Sequence, residues 1–295
     1  MLIDWIPLLD QIRAETGTAF DPDQPQPVGG GCINESYRLS DGCDALFVKI
    51  NRADRLSDFM NEAAGLEALR DAGPVRVPET ICAGNDGEHA WLVLEYVVLG
   101  HPRQNSETLF GDQLATLHRS TGDCFGWTRD NALGTTPQHN PSSKDWVAFW
   151  SEHRLGFQLE LASSRGFGAR LADRGARLRD ALPQLIGGHH PVPSLLHGDL
   201  WSGNIGYDVE GRPLIYDPAS YYGDREADLA MTELFGGLGR EFYAAYQDAW
   251  PLDDGYPVRR TLYNLYHILN HLNLFGAGYL SQAESMLDRL LAEIS

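Results

Sequence analysis

Leu196-His197-Gly198-Asp199-Leu200-Trp201-Ser202-Gly203-Asn204, followed thirteen residues after its asparagine by Asp217-Pro218-Ala219, is the stretch on which the reading of this chain turns. Phosphoryl transfer needs one carboxylate beside the acceptor hydroxyl and separate oxygen ligands that hold Mg²⁺ on the phosphates. At this spacing Asp199 fills the first role, and Asn204 and Asp217 fill the second. Ile205-Gly206-Tyr207 and Leu214-Ile215-Tyr216 predict two short strands joined by a turn at Asp208-Val209-Glu210-Gly211. Such a hairpin carries Asn204 and Asp217 to the same end. Taken singly, His-Gly-Asp is a tight turn and Asp-Pro a strand stop; the whole string reads as a phosphotransferase catalytic loop with its metal-binding partner.

A phosphate-binding half lies upstream. Gly29-Gly30-Gly31 precedes the strand-like Ser36-Tyr37-Arg38-Leu39, and successive glycines let backbone N–H groups approach phosphate oxygens without interference from Cβ. Alone that run is an ordinary flexible loop, and Lys49 alone is an edge-strand lysine. Together they place a lysine on the strand after a glycine loop, where kinase folds keep their phosphate-binding lysine. Lys49 and Lys144 are the only lysines in a chain otherwise supplied with arginine. Glu62, on the next predicted helix, is the natural ion-pair partner for Lys49. The strand through Glu95, Tyr96 and Val97 is then the hinge, whose backbone groups pair with an adenine edge.

The bulk numbers are consistent with this. A chain of 295 residues is long enough for about two domains, and its composition is that of an ordinary globular protein. A formal charge of −18 argues against nucleic acid and anionic membranes as partners. It does not argue against ATP, because distant charges are screened beyond about 8 Å. A cation within about 4 Å of phosphate contributes several kcal/mol. The acidity instead favours a cationic acceptor. No apolar run reaches membrane-spanning length, and the opening residues 1–11 read as an amphipathic helix without a basic leader, so the expected location is the cytoplasm. Cys32, Cys43, Cys82 and Cys124 show neither CxxC pairing nor a histidine cluster, so they are expected to be thiols.

The first third predicts a small α+β unit: strands at 36–39 and 46–50, a helix from Ser57 to Gly73, and an apolar strand over 91–98. The lobe boundary is placed after residue 97. Beyond it the pattern is mostly helical, with helices at 108–120 and 146–161 around a polar loop over 122–143, then three more at 227–250, 258–275 and 282–294.

With both halves in view, the chain resembles the fructosamine-3-kinase (ketosamine-3-kinase) family, within the aminoglycoside phosphotransferase and protein-kinase-like superfamily. The resemblance rests on Gly31-Cys32-Ile33-Asn34-Glu35, Phe47-Val48-Lys49, Leu94-Glu95-Tyr96, His197 through Asn204, Tyr216-Asp217-Pro218-Ala219, Phe235-Gly236-Gly237 and Leu272-Asn273-Leu274-Phe275-Gly276. It implies a two-lobed fold with a small β-rich N-lobe, residues 1–97, and a larger, mostly helical C-lobe, residues 98–295. It also implies ATP- and Mg²⁺-dependent phosphorylation of the sugar 3-hydroxyl of ketoamines. The 3-phosphate then decomposes and frees the amine, so the activity amounts to deglycation.

In this reading Asp199, with an ordinary carboxyl pKa, orients the hydroxyl; Asn204 and Asp217 hold the metal; Lys49, set by Glu62, holds phosphate with Gly30 and Gly31; Glu95 and Val97 frame the adenine. Trp201 is assigned to substrate, by stacking on a sugar or a glycated lysine, or else to packing. Gln138, Asn140 and Trp146 resemble family positions and are expected near substrate. The chain departs from the family at Ser142, where members often carry Trp. Two rivals stay open: a kinase acting on an aminoglycoside, choline or another cationic amine, and a nucleotide-binding pseudokinase.

Cys32 lies in the loop that must close over ATP, and this suggests redox control through a disulfide between two copies of the chain. Cys32→Ala is then expected to abolish any difference in activity between oxidised and reduced preparations; equal activities already in the parent protein would remove the idea.

Overall fold

A computed structural model describes residues 3–29 and 33–294. The chain opens on helix α1 (Ile6–Thr16), which starts with Pro7 in its first turn and closes at Gly17, whose φ of 67° only glycine adopts at little cost. The expected helix over 1–11 is therefore displaced toward the C-terminus. Strands β1 (Gln26–Pro27), β2 (Glu35–Ser40) and β3 (Ala45–Arg52) lead into α2 (Leu56–Ala72), then β4 (Thr80–Asn85) and β5 (His89–Glu95). They form one antiparallel sheet in the order β1-β2-β3-β5-β4.

Strand β5 is buried on both faces, which is why it reads as an unbroken apolar run. Trp91 and Val93 pack with Leu8 and Ile12 of α1, while Leu92 and Leu94 pack with Leu66 and Leu69 of α2. Strand β4 gives no sequence signal: it is a bulged edge strand holding Gly84, where a Cβ would lie 2.2 Å from Gln11 Oε1. The apolar run to Val98 outlasts its strand, because the chain leaves the ladder at Glu95 to cross into the second lobe.

That lobe starts with α3 (Ser106–His118). The expected polar loop over 122–143 carries a small hairpin, β6 (Asn131–Leu133) and β7 (Thr136–Gln138). Helix α4 (Trp146–Trp150), a π-helical stretch at Ser151–Gly156 and α5 (Phe157–Ser164) make one nearly continuous rod. Next comes α6 (Ala169–Ile186), which the reading of the sequence passed over, since Gly175 and Pro183 look like breakers. Its apolar face, Leu171, Leu178, Leu182 and Ile186, is buried nonetheless, and Gly175 is where Leu159 presses against the helix. Short strand β8 (Ser194–Leu196) pairs with β11 (Tyr221–Gly223), and between them β9 (Ile205–Tyr207) and β10 (Pro213–Ile215) form the expected hairpin.

Helices α7 (Glu226–Leu234), α8 (Arg240–Ala249), α9 (Tyr256–Phe275) and α10 (Leu280–Ala292) complete the chain. The single helix expected over 227–250 is two, parted where Gly236 and Gly237 take φ of 109° and 73°. The result is the two-lobed α+β, protein-kinase-like fold. A middle core joins the lobes, because Phe59 and Leu66 of α2 share one apolar cluster with Leu114 of α3, Leu200, Ile215 and Phe242 of α8. Among the described residues no helix is long and apolar enough to cross a membrane.

A polar knot ties the segment after α6 to the start of α7 and to α9. His189 Nε2 lies 2.7 Å from Asp224 Oδ2, which also accepts the Tyr263 hydroxyl at 2.5 Å, and Asp224 Oδ1 accepts the Glu226 amide. Burial pulls the His189 pKa down, but the Asp224 hydrogen bond and charge outweigh it and the pKa is raised. A raised imidazole stabilises the fold fully below its unfolded pKa near 6.5, and this contribution is lost as pH rises through the higher folded value. His189→Gln is expected to lower stability by no more than about 1 kcal/mol, the ring being partly exposed and screened. In denaturant titrations the deficit should be largest below about pH 6.5 and shrink as the solution turns alkaline; a deficit that grows with pH would contradict this charge assignment.

Candidate active site

The cleft between the lobes is built on the catalytic loop, and the loop is built on Asp228. This residue of α7 is 1 % exposed; its Oδ2 accepts the His197 amide at 2.7 Å and its Oδ1 the Gly198 amide at 2.8 Å. His118 of α3 reaches the same carboxylate at 3.3 Å and is held by the Tyr246 hydroxyl at 2.8 Å. Burial raises the Asp228 pKa, but the His118 hydrogen bond, nearby imidazoles and the Gly198 amide overcome it, and the group stays below its ordinary value. Gly198 has φ of 83°, and a Cβ there would lie 2.1 Å from the Ala219 carbonyl, so the turn requires glycine.

His197 is neutral, its pKa lowered by burial. Nδ1 accepts the Asp199 amide at 3.2 Å, so Nε2 carries the proton and donates to the Tyr216 carbonyl at 2.9 Å. One imidazole thus links the catalytic loop to the residue before Asp217. Asn204 completes the link: its Nδ2 donates to the Asp199 carbonyl at 2.9 Å and to Asp199 Oδ2 at 3.1 Å. Its Oδ1 is left for another ligand. The expectation of an ordinary Asp199 is corrected: burial pushes its carboxyl up to about 7, against the lowering by Asn204, with Asp217 and Asp228 adding to the rise. A cation brought between Asn204 and Asp217 acts in the opposite sense.

From the other lobe, β3 brings Lys49 into the same space. Its Nζ lies 2.6 Å from Glu62 Oε1 on α2 and 2.5 Å from Asp217 Oδ1. Burial would lower the Lys49 pKa; the two carboxylates reverse this and hold it well above the ordinary value. Burial also raises Glu62, which Lys49 only partly offsets. Asp217 has φ of 58°, a left-handed conformation that a non-glycine residue keeps only when its surroundings impose it. An oxygen-rich pair, Asp217 with Asn204, beside a lysine is a donor set suited to Mg²⁺ on a polyphosphate.

At the hinge, Glu95 turns its side chain away from the cleft to Arg76, 2.5 Å from Nη2, and its amide donates to the Glu79 carbonyl. Arg76 Nη1 also meets Asp208 Oδ2 at 2.9 Å. Burial pushes Asp208 up, but the Arg212 amide and guanidinium hold it down at about 2. The Glu95 side chain is therefore engaged within the protein. Gly30, Gly31 and Cys32 lie outside the described residues; just after them, Asn51 of β3 ties down the Ile33 carbonyl and the Asn34 side chain.

Trp201 is 37 % exposed and lies over Gly203, where a Cβ would fall 2.2 Å from the indole. Its ring stands 6.1 Å from Phe235, which in turn stands 4.9 Å from His271 of α9. The other three substrate candidates are buried. Gln138 donates to Asn131 and the Ala219 carbonyl and accepts from Tyr266; Asn140 is held by Arg154 and Asn131; Trp146 donates to Tyr263 and stacks on Phe149. Ser142 is on the surface, in a segment paired by backbone to Phe125 through Ser143.

Reading the sequence missed Asp228, His118, Arg76 and Asp208. The only signal for Asp228 was an acid amid Ala227, Leu229, Ala230 and Met231, a helix face that has to be buried.

The fructosamine kinase family profile matches residues 5–293. A probable ketoamine kinase of Synechocystis sp. is 47 % identical over 288 residues, 97 % of each chain. The chloroplastic protein-ribulosamine 3-kinase of Arabidopsis thaliana is 43 % identical over 97 % of this chain and 87 % of its own. Among solved structures, a candidate fructosamine-3-kinase from Haemophilus somnus 129PT superposes with a TM-score of 0.89 at 31 % identity, over 96 % of both chains. With a match that runs almost end to end and a cleft built for phosphoryl transfer, the chain belongs to the fructosamine kinase family and is a phosphotransferase.

Proposed function

We propose that the protein transfers the γ-phosphoryl group of ATP to the 3-hydroxyl of ketoamines such as fructosamines and ribulosamines, and so leads to deglycation of amines or proteins. The observation that carries this reading is the convergence of Lys49, Glu62 and Asp217 with Asp199 and Asn204 in one cleft, with the exposed edge of Trp201 beside it. Residues 1–97 serve as the nucleotide lobe and 98–295 as the catalytic lobe.

In this proposal Lys49 leaves Asp217 for the α- and β-phosphates while Glu62 keeps its ammonium oriented. The Glu95 carbonyl and the Val97 amide pair with the adenine. Asn204 Oδ1 and Asp217 would hold Mg²⁺, which when bound would draw off charge developing on the phosphates. Asp199 accepts the proton of the sugar hydroxyl as the new oxygen–phosphorus bond forms and the bond to ADP breaks. A half-buried carboxyl with a raised pKa is a better base than a fully exposed one. Trp201, Phe235 and His271 form an aromatic wall against which a sugar or the carbon chain of a glycated lysine stacks. The reaction is placed in the cytoplasm, where ATP is available and the thiols Cys43, Cys82 and Cys124 stay reduced.

Incubation with Mg-ATP and fructosyl-lysine or ribulosyl-lysine should yield a phosphorylated ketoamine and then free lysine by mass spectrometry, with an aminoglycoside and choline unmodified. Phosphate on a control alone would move the acceptor to another amine. Asp199→Asn is expected to lower kcat by about 10²- to 10⁴-fold, and unchanged turnover would refute the role of that carboxylate. For Trp201→Ala the expected result is a roughly tenfold higher KM for ketoamine with the KM for ATP unmoved; an unaltered ketoamine KM would assign the indole to packing.

A further inference from the structure

The residues that follow Asp217 are gripped by side chains of the β6–β7 hairpin. Asn131 Nδ2 donates to the Ser220 carbonyl at 2.8 Å, and Gln138 Nε2 to the Ala219 carbonyl at 3.0 Å. Behind them, Gln138 Nε2 and Asn140 Nδ2 both donate to Asn131 Oδ1, at 2.9 and 3.0 Å. Behind these stands Arg154, 0 % exposed, with Nη2 2.6 Å from Asn140 Oδ1 and Nη1 2.7 Å from the His139 carbonyl.

A buried guanidinium usually faces a carboxylate. Among the described residues Arg154 has no ion pair; it lies instead over the rings of Tyr221, Phe149 and Tyr266 at 4.2, 4.7 and 5.8 Å. It also sits in the π-helical stretch, a distortion found mostly at functional sites.

The chemistry of these groups dictates their order. Arginine only donates, so Asn140 must turn its oxygen toward Arg154 and its amide nitrogen toward Asn131. Asn131 must then present its oxygen to Asn140 and Gln138, which leaves its own N–H for Ser220. Gln138 faces two acceptors, Asn131 Oδ1 and the Ala219 carbonyl, so its Nε2 must point at them and its Oε1 accepts the Tyr266 hydroxyl at 2.8 Å. Gln138 has both N–H groups and its oxygen engaged within the protein, and Asn140 likewise donates to Asn131 and Arg129 and accepts from Arg154.

We propose that Arg154, Asn140, Asn131 and Gln138 form a polarised positioning relay, which fixes the 217–220 segment and holds Asp217 in the left-handed conformation that aims its carboxylate into the cleft. None of the four then contacts the acceptor. The proposal rests on the reading of Asp217 as a holder of Mg²⁺.

Two variants test it: Gln138→Met, which keeps volume and removes both donors, and Asn131→Ala, at a less buried position, which keeps the test decisive if the first fails to fold. Calorimetry measures ADP affinity with Mg²⁺ and with EDTA, and steady-state kinetics follow the ketoamine reaction. The relay predicts that the gain in ADP affinity on adding Mg²⁺ shrinks about tenfold, with the EDTA value unchanged. It also predicts kcat about tenfold lower and the KM for ketoamine within about twofold of the parent. A higher ketoamine KM with an intact Mg²⁺ effect would overturn it, as would folded variants with parental values throughout. Asp217→Asn is the reference: if it keeps the full Mg²⁺ effect, the reading of Asp217 falls, and the relay with it, whereas loss there and retention in both relay variants refutes the relay alone.

Discussion

Asp228 holds a full negative charge beneath the catalytic loop, out of water, and the geometry above it follows from how that charge is satisfied. Desolvating a carboxylate costs several kcal/mol unless donors replace the water. Here two of the replacements are the amides of His197 and Gly198, so neutralising the ion and shaping the loop are one event. The third, His118, comes from α3 and is fixed by Tyr246 of α8, which makes helix packing in the second lobe a condition for the loop. Once the loop is set, His197 and Asn204 pass the constraint to Tyr216 and Asp199 through hydrogen bonds short enough to leave little play.

Charge in the cleft is arranged against the tendency of the whole molecule. The chain carries a net charge of −18, yet the site has to accept a polyanion. A single buried ammonium placed against two carboxylates resolves this, because attraction falls with distance and burial weakens screening. Lys49 meets Glu62 and Asp217 together, with its own side chain and that of Glu62 largely out of water and that of Asp217 half-exposed. In the proposed reaction a phosphate draws Lys49 from Asp217, and the Mg²⁺ that Asp217 and Asn204 would hold offsets the charge released there.

How much of this was legible in the sequence depended on how local each signal is. Asp199, Asn204, Asp217 and Lys49 were readable because a loop, a hairpin and two strands keep their spacing within short stretches of chain, and the ends of those stretches are marked by Gly and Pro. Helix α6 was lost because Gly175 and Pro183 look like breakers; in place, one accommodates Leu159 and the other occupies the last turn, where tertiary packing overrides propensity. Helices α7 and α8 merged in the reading because the Phe235-Gly236-Gly237 break lies between two stretches with the same periodicity. Asp228, Arg76 and Asp208 act across tens of residues or more, and their signal is a partner that a one-dimensional reading does not supply.

Gly65 shows how closely the two lobes are fitted. It lies one turn beyond Glu62 on α2, and a Cβ there would come within 3.1 Å of Ser220 Oγ and 3.2 Å of Pro218 Cγ. Even a methyl group there would require Ser220 and Pro218 to give by a few tenths of an ångström, so α2 is seated directly on the 217–220 segment. On the neighbouring turn, Asn61 donates to the Asp130 carbonyl, next to the residue whose side chain grips Ser220. The helix that carries Glu62 and the β6–β7 hairpin therefore touch the same short stretch of chain. Lys49, Glu62 and Asp217 are joined by two short ion pairs, and the packing at Gly65 and the Asn61 hydrogen bond set the helix that carries Glu62.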